Sequence, residues 1–222
     1  MNNNTRINKY AVALAASTAL ISSSSAASIL WGTFNNDPSA DTEVSTNGTL
    51  VEALNLVSAD GAVAGATTTV NGVTFTGTNL FGNTYGFTTG VSTGATGLDS
   101  LYANFSFNGG DITLGGLNSG DQYEIQVFFG DNRNGVTAAR QMAVGTAQPT
   151  FDATSSENGA DGTWVIGTFT ADAGTQTFHS AFSGSSTTEV NAYQLRNVTV
   201  PEPSSTALLG LGGLALILRR RK

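Results

Sequence analysis

Apolar and polar positions alternate with a period of two along most of this chain. The clearest stretch is "DQYEIQVFFGD", where Tyr123, Ile125, Val127 and Phe129 share one face and Glu124, Gln126 and Phe128 the other. The preceding "LNSGD", with Asn118 and Gly120, reads as a turn. Strands are also predicted in "TTTVNGVTFTG", "LYANFSF", "DITLGGL", "RQMAVGT", "TWVIGTFTA", "TQTFHSAFSG" and "NAYQLRNVTV". "DGTW", at 161–164, predicts an Asp-Gly turn entering a strand. Helical signals are few. "TLVEALNLV" has a Thr49-x-x-Glu52 capping box and apolar positions at Leu50, Val51 and Leu54, which predict one short helix; "GLDSLY" predicts a further helical turn. The expected fold is all-β: two antiparallel sheets of about eight strands in total, packed as a jelly-roll-like β-sandwich. An outer-membrane barrel needs longer strands with an outward apolar band, and a solenoid needs a repeat, which is not found.

Both ends of the chain break this pattern. At the start, Arg6 and Lys9 precede an apolar run and then small residues, the three parts of a secretory signal. Ser25-Ala26-Ala27 fits the small-x-small rule, so cleavage is expected between Ala27 and Ser28. At the other end, Val200 is followed by Pro201, Glu202 and Pro203, then an apolar run and a basic cluster. The run of 12 residues at 207–218 holds Ala207, Leu208, Leu209, Leu211, Leu214, Leu216, Ile217 and Leu218. As a helix it extends roughly 18 Å, against a hydrocarbon core of about 30 Å. Arg219, Arg220, Arg221 and Lys222 then act as a stop on the cytoplasmic side. The expected organisation is a signal helix at 1–27, an extracytoplasmic β-sandwich at 28–199 and a single hydrophobic helix within 200–222.

Composition narrows the chemistry of the middle. Residues 28–200 contain no lysine, three arginines and 15 acidic residues, a formal charge of −12. So acidic a surface repels phosphate backbones and argues against nucleic acid as a partner. The absence of cysteine removes thiol nucleophiles, disulfides and thiolate metal sites. The single histidine, His179, lies in an alternating strand pattern and reads as a strand residue. No G-x-S-x-G elbow accompanies it, and no pair of carboxylates stands out for glycoside hydrolysis, so no catalytic residue and no enzyme activity are expected. "DNRNG" and "SENGADG" offer oxygen ligands as candidate structural calcium loops, but Arg133 interrupts EF-hand spacing; no cofactor and no metal ligands are assigned.

Pro201-Glu202-Pro203, the short apolar helix and the terminal arginine cluster resemble the PEP-CTERM sorting signal of Gram-negative bacteria, also described as an ice-binding protein C-terminal domain. The resemblance covers about 23 residues. It implies export through signal peptidase and the secretion machinery, then recognition of Pro201, Glu202 and Pro203 by exosortase, a membrane-embedded protease usually found beside exopolysaccharide machinery. It further implies transient anchoring by the apolar run and delivery to the cell surface or matrix. The ice-binding description belongs to the tail; the threonines show no flat periodic array.

A second resemblance covers about 85 residues, from "LGGLNSGDQYEIQVFFGDNRN" to "NAYQLRNV". Its order of phrases is similar to galactose-binding-like or malectin-like jelly rolls, which implies a shape more than an activity. The candidate ligand loop is "FFGDNRNG", where Asp131, Asn132, Arg133 and Asn134 crowd donors and acceptors at a strand end. Arg140 and Arg196 are expected to pair with carboxylates, and Trp31, Trp164 and Tyr193 to pack the core. The expected function is a structural or adhesive surface protein; a carbohydrate-binding module with exopolysaccharide as partner is the alternative, and a glycoside hydrolase a third.

Overall fold

The computed structural model describes residues 27–56, 67–81, 89–109, 111–132, 141–146, 151–155, 161–182 and 188–200. Strands β1 Leu30–Trp31, β2 Thr49–Leu56, β3 Thr68–Val70 and β4 Val73–Thr78 come first, then the helix α1 Thr96–Tyr102. β5 Ser106–Gly109, β6 Ile112–Leu114, β7 Gln122–Phe129, β8 Met142–Gly145 and β9 Ala153–Thr154 follow. The described chain closes with β10 Thr163–Thr170, β11 Gln176–Phe182, β12 Thr188–Val190 and β13 Ala192–Asn197. One sheet has seven strands in the order β1-β10-β7-β13-β2-β4-β3, and the other has four, β6-β11-β8-β9. β5 and β12 form a separate pair. The body is β-sandwich-like.

The period of two in β7 decides the layering. Tyr123, Ile125, Val127 and Phe129 enter the main core between the sheets, where Val165, Tyr193 and Leu195 join them and Ile112, Leu114, Met142, Val144 and Phe178 face them from the small sheet. Phe128, on the opposite side of the strand, belongs to a second core with Ala53, Phe75 and Ala192. α1 closes this second core with Leu98, Leu101 and Tyr102. The central strands are thus buried on both faces, and a partial third layer lies beyond the two expected from the sequence.

Three sequence expectations are corrected. "TLVEALNLV" is not a helix but β2, paired antiparallel to β13 and parallel to β4, so the large sheet is mixed. Its local capping signal is overridden because the extended form places Leu54 and Leu56 against the main core and Ala53 against the second. Leu50 and Val51, the supposed buried helix face, are 38% and 39% exposed. "TTTVNGVTFTG" is a hairpin, with positive φ at both Asn71 (48°) and Gly72 (77°), as a two-residue turn between twisted strands prefers. "LYANFSF" divides between the end of α1 and the start of β5. The helical turn read in "GLDSLY" is α1. Its N-cap, Ala95, supplies no side-chain cap; the Asp41 carboxylate does so from outside, 3.3 Å from Gly97 N and 2.9 Å from Leu98 N. A Cβ at Gly97 would lie 2.7 Å from that carboxylate, so a side chain there would displace the cap.

The second face of the large sheet is polar at one end, where residues 43–48 cross it as a strap. Gln126 Nε2 donates to Glu43 O at 2.9 Å, and its Oε1 accepts from Ser45 N at 2.9 Å and from Gln194 Nε2 at 2.8 Å. Gln194 Nε2 also reaches Ser45 O at 3.0 Å. Glu124 accepts from Ser45 Oγ and from Asn47 Nδ2. Arg196 donates to the carbonyls of Asn47, Thr46 and Gly48 and to Gln194 Oε1. Burial lowers the Arg196 pKa, and the charge of Glu124, opposite it in register on β7, partly offsets that. Arg196 thus has the carboxylate partner the sequence predicts, in Glu124, while its hydrogen bonds run to carbonyls and an amide; Arg140 lies outside the described residues. Glu43 fixes the head of the strap, accepting Ser39 N, Ala40 N, Asn35 Nδ2 and Trp164 Nε1 at 2.7–3.0 Å.

Arg196→Met removes every donor to the three strap carbonyls and leaves Glu124 without its opposing charge. Urea unfolding is expected to show a loss of about 3 kcal/mol, the scale for breaking a buried charged network from one side.

Candidate functional site

Two surfaces of the folded body are candidates for a site. The first is the end of β7, where the sequence points to a ligand loop. Asn191 is fully buried there; its Oδ1 accepts Gly130 N at 2.6 Å and its Nδ2 donates to the carbonyls of Tyr102, Asn104 and Gly130. One amide thus binds the end of β7 to the end of α1. The Tyr102 ring packs so closely on Gly162 (φ 83°) that a Cβ there would lie 2.9 Å from it, and its hydroxyl donates to Thr163 O at 3.0 Å. Burial, with the charge of Glu43 second, pushes the Tyr102 phenol well above its ordinary pKa. Asp131 follows directly and is 1% exposed, so it is an interior carboxylate and not a surface one. Asn132 is exposed, with its main-chain N–H on Thr89 O at 2.8 Å. Arg133 and Asn134 lie outside the described residues. The structure therefore brings one of the four residues, Asn132, to the described surface.

The second surface was not legible in the sequence. A cleft of about 450 Å³ opens on one side of the sandwich, where β1 edges the large sheet and β9 edges the small one. Trp31, Phe34 and Asn36 line one wall, with Asp152, Thr154 and Ser155 on the other. The aromatics are partly exposed and backed by the core: Trp31 meets Phe178 edge-on at 5.9 Å, Phe178 meets Tyr193 at 6.1 Å, and Phe34 lies 6.1 Å from Phe129. Asp152 Oδ2 accepts both the N–H and the hydroxyl of Thr146 at 2.7 Å, and Thr146 Oγ1 accepts Ile29 N at 3.3 Å. Those bonds tie the two walls together. Trp31 and Phe34 lie far from Asp152 in sequence, and only the meeting of two sheet edges joins them.

The remaining expectations are placed as follows. His179 is a fully buried strand residue on β11, with Nδ1 2.9 Å from Asp111 Oδ1 and its ring 5.6 Å from Phe151. Tyr193 is core, and Trp31 packs the first strand onto it. Trp164 is half-buried against the second core. Among the described residues no three His, Asp or Glu side chains gather as a metal site. "SENGADG" lies mostly outside the described residues, as do Pro201, Glu202, Pro203, the apolar run and the basic stop.

The described chain leaves the fold at 198–200. Val198 N donates to Gln122 O at 2.8 Å and Thr199 Oγ1 accepts Gln122 N at 2.8 Å, while Val200 is 77% exposed. At that point residues 199–222 match the family described as the PEP-CTERM protein-sorting motif. The chain ends in a PEP-CTERM signal. A PEP-CTERM tail makes the protein an exosortase substrate, exported and sorted to the cell surface. No curated protein and no solved structure matches the chain, so the resemblance of its central domain to galactose-binding-like or malectin-like jelly rolls gains no support.

The aromatic series behind the cleft ends at the Tyr193 hydroxyl, which donates to Glu52 Oε1. Burial first, then Glu52, raises its pKa far above 10. A folded pKa above the unfolded value of about 10 stabilises fully below that pH and is lost as pH rises through and beyond it. Denaturation midpoints are expected to hold steady to about pH 9 and to fall above about pH 10. Tyr193→Phe should lessen that fall, Tyr102 keeping its own share, while lowering neutral-pH stability by about 1 kcal/mol for the lost hydrogen bond.

Proposed function

We propose that this protein is a structural, adhesive component of the cell surface or extracellular polysaccharide matrix, without enzymatic activity. It is held at the membrane by its PEP-CTERM tail until exosortase releases it. One observation carries this reading: among the described residues the chain's last bonds to β7 are made at Val198 and the Thr199 hydroxyl, and the sorting motif begins at residue 199. The last described residue of either core is Leu195, which precedes the motif. In this reading Pro201, Glu202 and Pro203 form the recognition element, the apolar run a transient membrane segment, and Arg219 to Lys222 the cytoplasmic stop.

The N-terminal end supports the same topology. β1 enters the large sheet with Leu30 opposite Thr168, and Thr170 lies opposite Gln122, which in turn holds Val198. The predicted signal-cleavage site and the start of the tail thus sit at one end of the sandwich, and the Asn132 loop sits at the other. Ala27 packs against the core and Ile29 is 2% exposed, so signal peptidase cuts between Ala27 and Ser28 before β1 closes the edge of the sheet. We read the sandwich as jelly-roll-like, because the strands after β6 cross repeatedly between the sheets.

The test is mass spectrometry of the protein isolated from the surface of producing cells. Mature chains are expected to begin near Ser28, to end close to Pro201-Glu202-Pro203, and to lack the apolar run. Surface chains that retain Leu218 to Lys222 would identify a permanent anchor and overturn the release step. Deleting exosortase should leave the full tail in the membrane fraction.

A further inference from the structure

Adhesion needs a surface that holds something, and the edge cleft has the composition for it. Resting on that adhesive function, we propose that the cleft between β1 and β9 is a binding site for a neutral, hydroxyl-rich glycan. Its volume of about 450 Å³ falls within the range of ligand sites and leaves room for one or two sugar rings. Sugar rings carry apolar C–H faces and a belt of hydroxyls. Trp31 and Phe34 offer apolar faces, backed by Phe178 and Phe129 so that they need little reordering on binding. Asn36, Thr154 and the Asp152 carboxylate supply donors and acceptors around them.

Charge selects the class of glycan. Among the described residues the lining has one carboxylate and no arginine or lysine, and residues 28–200 carry a formal charge of −12. Uronate or sulfate groups would be repelled, whereas neutral hydroxyls donate well to a carboxylate. The Trp31 Nε1–H is buried and has no acceptor among the described residues, a donor that a hydroxyl entering beside the ring would satisfy. The walls are also pre-set, because the Ile29–Thr146–Asp152 bonds fix their separation. An open edge suits a polymer, whose chain continues out of the cleft on either side.

The probe set is neutral cello-, laminari- and malto-oligosaccharides, with oligogalacturonate as the anionic comparison. Each is titrated calorimetrically into the mature protein isolated from the cell surface. Saturable heat is expected with at least one neutral oligosaccharide and none with oligogalacturonate. Thr154 is exposed on a two-residue edge strand, so Thr154→Trp fills the cleft without touching the core. It is expected to weaken binding by about tenfold or more at an unchanged melting temperature. Asn132→Ala, at the far end of β7, should bind as the parent does. Equal binding by Thr154→Trp, loss in Asn132→Ala, preference for oligogalacturonate, or no saturable heat with any neutral probe would each overturn the assignment. The C-terminus of the same preparation reports separately on the sorting and release reading.

Discussion

The structure depends on a short polar ladder in an otherwise apolar sheet. Glu124 and Gln126 on β7, with Gln194 and Arg196 on β13, occupy positions that alternation sends to the second face of the large sheet. Among the described residues no helix bonds to them, so water or other polar groups must satisfy them. The strap at 43–48 does so with its own backbone, offering carbonyls to Arg196, Gln126 and Gln194 and an N–H to Gln126. Its position has further effects. Asp41, just before it, caps α1, and Glu43 at its head holds the indole of Trp164. The helix that closes the second core is therefore held through the strap that the ladder holds.

A domain with no cysteine and no lysine must derive its order from burial and amide geometry. Several of its strongest fixings are single uncharged amides with every donor and acceptor used, Asn191 above all. Such groups do not titrate and are indifferent to salt, which suits a protein exposed to a medium the cell does not control. The excess of acidic residues keeps the surface soluble and anionic polymers at a distance.

The period-two segments were legible because a strand's side chains alternate whatever its partners are. β7, β10, β11 and β13 therefore appear where the sequence places them, and the Asp-Gly turn before β10 does too. β2 was misread because Thr49-x-x-Glu52 is a sound local helix signal; only its two neighbours in the sheet make the extended form better. At the sequence-named loop, polar composition suggested exposure, but Asp131 is drawn inside beside the Asn191 node. Composition reports how well a residue tolerates water and does not report which way the chain turns.

By itself the sequence determined the address and the class of fold. A sorting signal is read as a linear string near the membrane, so Pro201-Glu202-Pro203, an apolar run and a basic end carry their meaning without folding. Tertiary structure alone decided which distant side chains meet at a cleft. The edge cleft takes Trp31 and Phe34 from the first strand region and Asp152 and Thr154 from beyond position 150. No spacing or motif encodes that meeting, because it follows from which strands end at the rims of two stacked sheets. Contacts made across layers depend on packing the whole core at once, and local pattern has no access to them.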